Sequence, residues 1–405
     1  MASTIDSRTA ADSRRPSLIR RRIEIAAGIG LFAALAIIAR FVAGEGSGTD
    51  ALTTSLVLGA LFGFVLQRSR FCFFCAIREY IDERKADGVL GILAALAAGA
   101  AGYTIIFGSW LPDPSTGRLA PDAFIGPVSW VLAAGGLAFG AGMAISGSCV
   151  SAHLYRLGEG SPTSPFAIIG TVLGFAVGYA TWNELYLVAI SDAPVIWLPN
   201  HLGYAGSLAL ALLVLGALAL VLLYRSERPA STAGGPPQPL RAIFLERWPG
   251  WIGGIAVAAI ATASYLRVAP LGVTADLGGR GRQLGEYLGF VPSHLNGLDR
   301  LRGCAAIAQE ALLSPNGLFV VGMIVAAFAA SLVAGQFRPT WPTLSQIVRG
   351  LSGGFLLGWG AMVALGCSIG TLLSGIMAGA VSGWVFALAM FAGLFIAHRI
   401  RQALT

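Results

Sequence analysis

Charge is the scarcest ingredient of this chain. Of its 405 residues only 12% are Asp, Glu, Lys or Arg, while 56% are hydrophobic, and the mean hydropathy is +0.74. A water-soluble globular chain carries roughly 25% charged residues. Half that amount cannot coat a water-soluble particle of this size, so a soluble enzyme or soluble binding module is excluded. A bilayer removes the need for the coat. No Gly-rich phosphate loop of the Walker type is present, which argues against ATP-driven pumping by this chain alone. Methionine (6) and histidine (4) are few and none is grouped with the cysteines in the way a soft-metal permease would need, although His153 follows Cys149 closely. The five cysteines are odd in number and dispersed, unlike a secreted disulfide framework. No acidic residue inside an apolar run stands out as a proton site.

What is present is a succession of apolar runs. A crossing helix needs about 20 apolar residues, and ten segments qualify: 23–43, 51–67, 88–108, 127–146, 163–182, 203–224, 248–270, 317–335, 343–365 and 374–397. The pattern predicts an all-α integral membrane protein with about ten transmembrane helices. Residues 1–22 form a basic arm, 23–224 a first five-span repeat, 225–247 a Pro/Gly-rich linker and 248–405 a second repeat, whose first span is 203–224. Nineteen of the 27 Lys and Arg fall in the segments on the N-terminal side of these spans and five on the other side. The excess of basic residues in cytoplasmic loops predicts both termini inside. The net charge of +7 is therefore a topology signal and does not call for a nucleic-acid partner. Trp110, Trp130, Trp197, Trp248 and Trp251 sit near span ends, where an interfacial belt is expected.

The halves repeat. Gly135, Gly136, Gly140, Gly142 and Cys149 match Gly353, Gly354, Gly358, Gly360 and Cys367 at one constant spacing. Glycines alone would be weak evidence, since the chain has 54 of them; the matched cysteine is more specific. Arg70-Phe-Cys72 and Arg302-Gly-Cys304 correspond more loosely. Five spans per half is an odd number, so the halves would insert upside-down relative to each other. Transporters built this way carry their substrate site near the midplane.

Cys72, Cys75 and Cys149 are then expected in the cytoplasmic half, and Cys304 and Cys367 in the outer half. Each lies at a break between apolar runs, among Gly, Ser and charged residues. Broken helices at membrane depth are tolerated where they are covered by protein or line a cavity, and the positive end of a following helix favours an anion. Thiols are soft, weak donors, which points to a sulfur or selenium species; Arg70, Arg78, Arg156 and Arg302 nearby favour an anion. Each of these residues also has an ordinary role. A buried cysteine can be a small hydrophobe, an arginine a topology anchor, and His153 an interfacial histidine in place of a ligand or proton relay. Glu159 follows Arg156 by three residues and is expected to pair with it. Gln309 and Glu310 read as solvated residues of an outer loop.

The run Gln67-Arg68-Ser69-Arg70-Phe71-Cys72-Phe73-Phe74-Cys75-Ala76-Ile77-Arg78-Glu79, with Gly147-Ser148-Cys149-Val150-Ser151-Ala152-His153-Leu154-Tyr155-Arg156-Leu157-Gly158-Glu159-Gly160, resembles the YeeE/YedE sulfur-transport family. The resemblance covers roughly residues 51–399 and includes Gly366-Cys367. It implies a bacterial inner-membrane protein taking up thiosulfate, some members handling selenium compounds instead. It also implies an hourglass-shaped helical body with two symmetric re-entrant loops, in which cysteines hand the anion along by S–H···S and S–H···O contacts. Cys149 and Cys367 match the central pair and Cys75 the inner exit cysteine; Cys72 and Cys304 are looser matches. The first span and the segment 271–316 are extensions relative to the family.

The expected function is thus a permease, not an enzyme, for thiosulfate or a related sulfur-containing anion, with Cys149, Cys367, Cys75, Cys72, Cys304, His153, Arg70 and Arg156 as substrate-binding residues. No cofactor or metal is expected. A small cytoplasmic sulfur-carrier protein is a candidate partner. The alternatives are a selenium-compound transporter and a membrane thiol oxidoreductase. The latter would use the redox-pair spacing of Cys72 and Cys75 and would require a disulfide there.

Overall fold

A computed structural model describes residues 18–43, 49–226, 239–306 and 314–404. Gln309, Glu310, the arm before residue 18 and most of the 225–247 linker lie outside the described residues. Among the described residues the chain is helical, with only isolated bridges at Pro127–Val195 and Trp197–Ala380. The helices are α1 (Leu18–Val42), α2 (Thr49–Ser69), α3 (Phe73–Glu83), α4 (Asp87–Trp110), α5 (Trp130–Ser146), α6 (Val150–Leu157) and α7 (Ser164–Leu185). They continue as α8 (Leu198–Arg225), α9 (Pro239–Phe244), α10 (Gly250–Arg267), α11 (Ala275–Tyr287), α12 (Pro315–Ala334), α13 (Leu344–Val363) and α14 (Val381–Leu404).

Among the described residues eight helical stretches are long and apolar enough to cross a membrane, or nine if α13 and the wide helical turn Ser368–Met377, bent by 44°, count as one broken span. Ten were expected. The difference is the segment 248–270. Its helix, α10, has 18 residues, the lower limit for a crossing, and Gly250, Gly253, Gly254, Thr262, Ser264 and Tyr265 dilute its hydropathy. It packs against α2 and α4, so it does not need the apolarity of a lipid-facing helix. The segment 271–316 is not a plain loop either, because α11 lies within it against α7.

The centre is built by α5 and α13, which approach through glycine. A Cβ on Gly142 would stand 2.6 Å from the Gly353 carbonyl oxygen, and one on Gly360 would stand 2.5 Å from that of Gly135. Small residues that let backbones touch in this way hold membrane helices together where the hydrophobic effect cannot. α7 packs on α13 and α14 on α5; α12 packs on α2 and α10 on α4. The outermost helices follow the same pattern, α1 lying on α12 and α8 on α4. Phe139, Met143, Trp182, Leu357, Phe386 and Met390 fill the core without exposure.

Breaks in the long helices are written in the backbone. α5 ends at Gly147 with φ +87°, whose N–H bonds the Met143 carbonyl. α13 ends where Leu365 has φ +60°, and α2 ends where Arg70 has φ +50°. Left-handed φ stops an α-helix, and outside glycine it is uncommon enough to mark a constrained site. After each break comes a cysteine in extended geometry: Cys72 before α3, Cys149 before α6 and Cys367 before the turn Ser368–Ser374.

Candidate functional site

Breaks of this kind bring the thiols together in two groups. Cys72 lies near both Cys75 and Cys149, and all five cysteines are free and buried. Cys149 Sγ is 3.3 Å from Ser151 Oγ. Arg156, on the last turn of α6, donates from one guanidinium nitrogen to Ser148 Oγ at 2.7 Å and from the other to Cys75 Sγ at 3.1 Å. The expected pairing of Arg156 with Glu159 is absent. Glu159 instead accepts from Gln67 Nε2 at 3.3 Å, because the left-handed Gly160 turns the chain straight after the short α6 and the guanidinium reaches back to Ser148. Among the described residues Arg156 forms no ion pair.

Beside this group opens a cavity of about 510 Å³. Cys72, Cys75, Arg70, Arg78, Arg156 and Arg247 are among its walls, together with the carboxylates of Glu79 and Asp87 and the rings of Trp248 and Trp251. Partial burial lowers the pKa of Arg247 from its ordinary value. Arg247 carried no motif in the sequence. It reaches the cavity because the Trp248 N–H bonds the Arg68 carbonyl at 3.1 Å and so ties the start of α10 to the end of α2. Arg68, also missed by sequence reading, is fully buried there. It donates to Gln67 Oε1, the Phe244 carbonyl and Gln336 Oε1, and so acts as a structural clamp.

His153 is buried behind Cys149. Its Nδ1 stands 3.2 Å from Ser164 Oγ, and its Nε2 has no hydrogen-bond partner among the described residues. It does not line the large cavity.

The second group is Cys304 with Cys367. Cys304 sits against the turn that follows α13: a Cβ on Gly272 or on Gly370 would collide with its Sγ, and the Ala305 N–H bonds the Leu365 carbonyl at 3.3 Å. Burial, with Cys367 beside it, pushes the Cys304 thiol well above its ordinary range. The space here is small: a cavity of about 50 Å³ touches Cys304, Phe124 and Asn316. Arg302 does not join the thiols. It is exposed, facing Asp122 at 3.5 Å, at the edge of a pocket of about 10 Å³. The larger cavity therefore lies on the side of Cys72, Cys75 and Arg156, and only small spaces lie beside Cys304.

Among the described residues no group of His, Cys, Asp and Glu is arranged to hold a metal ion.

Comparison with known proteins identifies the family. The profile of the family described as Sulphur transport matches residues 68–396. The chain is 29% identical over 343 residues to the thiosulfate transporter TsuA of Spirochaeta thermophila, spanning 82% of this chain and 93% of that protein. It is 26% identical over 357 residues to the thiosulfate transporter TsuA of Escherichia coli, spanning 85% and 93%. A shorter match, 33% identical over 186 residues, covers 46% of this chain and 44% of the probable transporter YedE of Salmonella typhimurium. With its apolar helices and a profile match over most of its length, this chain is a multi-pass membrane protein and belongs to the Sulphur transport family.

Proposed function

We propose that this protein is a bacterial inner-membrane permease that takes up thiosulfate or a related sulfur-containing anion through a central path lined by cysteines. The observation that carries the reading is Arg156. A half-buried guanidinium in a membrane protein is costly without a counter-charge, yet among the described residues this one donates to a hydroxyl and a thiol and forms no ion pair. It stands at the wall of a cavity that also holds three other arginines. The cavity's four arginines face two carboxylates, Glu79 and Asp87, so the site keeps an excess of positive charge, and charge-assisted hydrogen bonds from arginine suit an oxyanion.

The path runs, in this reading, from Cys304 and Cys367, on the side of the small spaces, to Cys149, Cys72 and Cys75, on the side of the larger cavity. A protonated thiol is a weak donor. A row of weak sites lets an anion move from one to the next, where one strong site would hold it. Thiolates would repel the anion, so the row works as neutral thiols. Arg156 and Arg70 receive the anion beside Cys75, and the wide vestibule leads it out. His153 supports the Cys149 turn through Ser164 and keeps Nε2 available to the path.

Two inverted repeats account for the frame. Gly142 meets Gly353 while Gly360 meets Gly135. Gly135 and Gly142 are the residues that correspond in sequence to Gly353 and Gly360, so each contact is the other seen from the opposite half. The first repeat is α1–α7 and the second α8–α14, with α10 as the short inner crossing. The start of α1 is tied by Arg21 to the Leu332 carbonyl at 2.8 Å, and α14 is tied near its end by Arg401 to the Ala144 carbonyl at 3.2 Å. Both therefore lie on the vestibule face, which is also the basic one. By the excess of positive residues inside, that face is cytoplasmic, and a small sulfur-carrier protein would collect the anion there.

Growth tests the reading. A bacterial strain lacking its own sulfate and thiosulfate uptake, expressing this protein, should grow with thiosulfate as sole sulfur source. Failure to grow with folded protein in the membrane would refute thiosulfate as substrate.

A further inference from the structure

A second chamber opens on the same face. It has a volume of about 290 Å³, and its walls include Arg70, Tyr155, Arg156, Glu159, Ser161 and Arg338. It shares Arg70 and Arg156 with the vestibule and is otherwise built from Tyr155 on α6, the chain after α6 and the segment after α12. Three guanidinium groups face it against one carboxylate, and that carboxylate already accepts from Gln67. None of the three arginines forms an ion pair among the described residues. The Tyr155 side chain is 1% exposed, and its hydroxyl, close to the Arg156 guanidinium, makes no well-aligned hydrogen bond among the described residues. A buried hydroxyl without such a bond is costly, and here it stands in the wall of a basic chamber. The space equals about ten water volumes, enough for one compact anion and part of its hydration shell.

We propose that this chamber is a second anion site that binds a tetrahedral divalent oxyanion, sulfate or inorganic phosphate, and that its occupancy slows release of the transported anion. The ligand is held by Arg338 and Tyr155, which belong to this chamber alone, and by Arg70 and Arg156, which it withdraws from the vestibule. A cytoplasm replete in oxyanion would thereby brake further uptake. The brake rests on the path proposed above; the binding does not.

The test uses the full chain in lipid nanodiscs, titrated with sodium sulfate and separately with sodium phosphate at fixed ionic strength. Saturable binding is expected. Arg338→Gln and Tyr155→Phe should each weaken it about tenfold, the equivalent of roughly 1.4 kcal/mol, while Arg247→Gln, on the vestibule side, should leave it unchanged. The preferred ligand between sulfate and phosphate identifies the physiological anion. In vesicles loaded with that anion on the cytoplasmic side, wild-type thiosulfate uptake should fall, and uptake by Arg338→Gln and Tyr155→Phe should not. Without loaded anion both variants should transport as wild type. The proposal is overturned if neither anion binds, or if binding is indifferent to Arg338 and Tyr155, or if Arg247→Gln weakens it equally. Binding that tracks Arg338 in a protein that moves no thiosulfate would uphold the site and refute the path.

Discussion

Alanine at Gly142 and alanine at Gly360 are predicted to do the same damage. A Cβ on Gly142 would stand 2.6 Å from the Gly353 oxygen, and a Cβ on Gly360 2.5 Å from the Gly135 oxygen. Ordinary carbon contacts begin near about 3.5 Å, so α5 and α13 must separate by roughly 1 Å. Each obstructing atom is backbone, so no side chain can swing aside. Overpacking of this kind costs about 1–3 kcal/mol, and the two substitutions should agree within about 0.5 kcal/mol if the contacts are related by a two-fold axis. Gly216, with nothing within 4 Å of its would-be Cβ, is the control; alanine there should be neutral or stabilising by helix propensity. The assay is thermal unfolding in detergent followed by a thiol-reactive dye, since all five cysteines are buried and free and react on unfolding. Unfolding temperatures lowered equally by Gly142→Ala and Gly360→Ala, and not by Gly216→Ala, fit the account. A loss at one position without the other would refute the two-fold relation.

Arg156→Gln removes two charge-assisted bonds, each worth roughly 1.5–3 kcal/mol, and should raise the KM for thiosulfate uptake at least about tenfold; Arg156→Lys should fall between, keeping the charge but losing the fork. Flux assays in vesicles check both. Burial raises the Cys304 thiol in the native protein, whereas in the unfolded chain it titrates near about 8.5. The native state thus prefers the protonated thiol, and that contribution is complete below about pH 8.5 and declines as pH rises toward the native value. The unfolding temperature of the wild type should therefore fall more steeply above about pH 8.5 than that of Cys304→Ala.

Much of the frame could be read from the residues, and the reasons are specific. The matched Gly positions of the two halves show in the sequence because close helix–helix contact in a bilayer favours small residues, and at Gly142 and Gly360 the facing backbone leaves no room for a Cβ. The cysteine breaks show because Gly147 and Gly366 adjoin them. Other features left no such mark. The segment 248–270 reads as one more span in the sequence, but the face of α10 that packs on α2 and α4 carries Gly253, Gly254, Ser264 and Tyr265, which lower its apolarity. The partner of Arg156 was read as Glu159 from helical spacing, but α6 ends two residues earlier and a tertiary contact to Ser148 and Cys75 wins. Arg247 and Arg68 gain their positions from the tie between Trp248 and the end of α2, a contact between residues far apart in the chain. Arg302 looked equivalent to Arg70, yet it faces Asp122 at the surface.

The central claim is that the anion passes the symmetric cysteines. The direct measurement is initial uptake of radiolabelled thiosulfate into membrane vesicles holding equal amounts of wild type, Cys149→Ala and Cys367→Ala, each shown to be folded by its unfolding temperature. The account predicts uptake by the wild type and near-complete loss in both variants. Uptake at wild-type rates in either folded variant would contradict it.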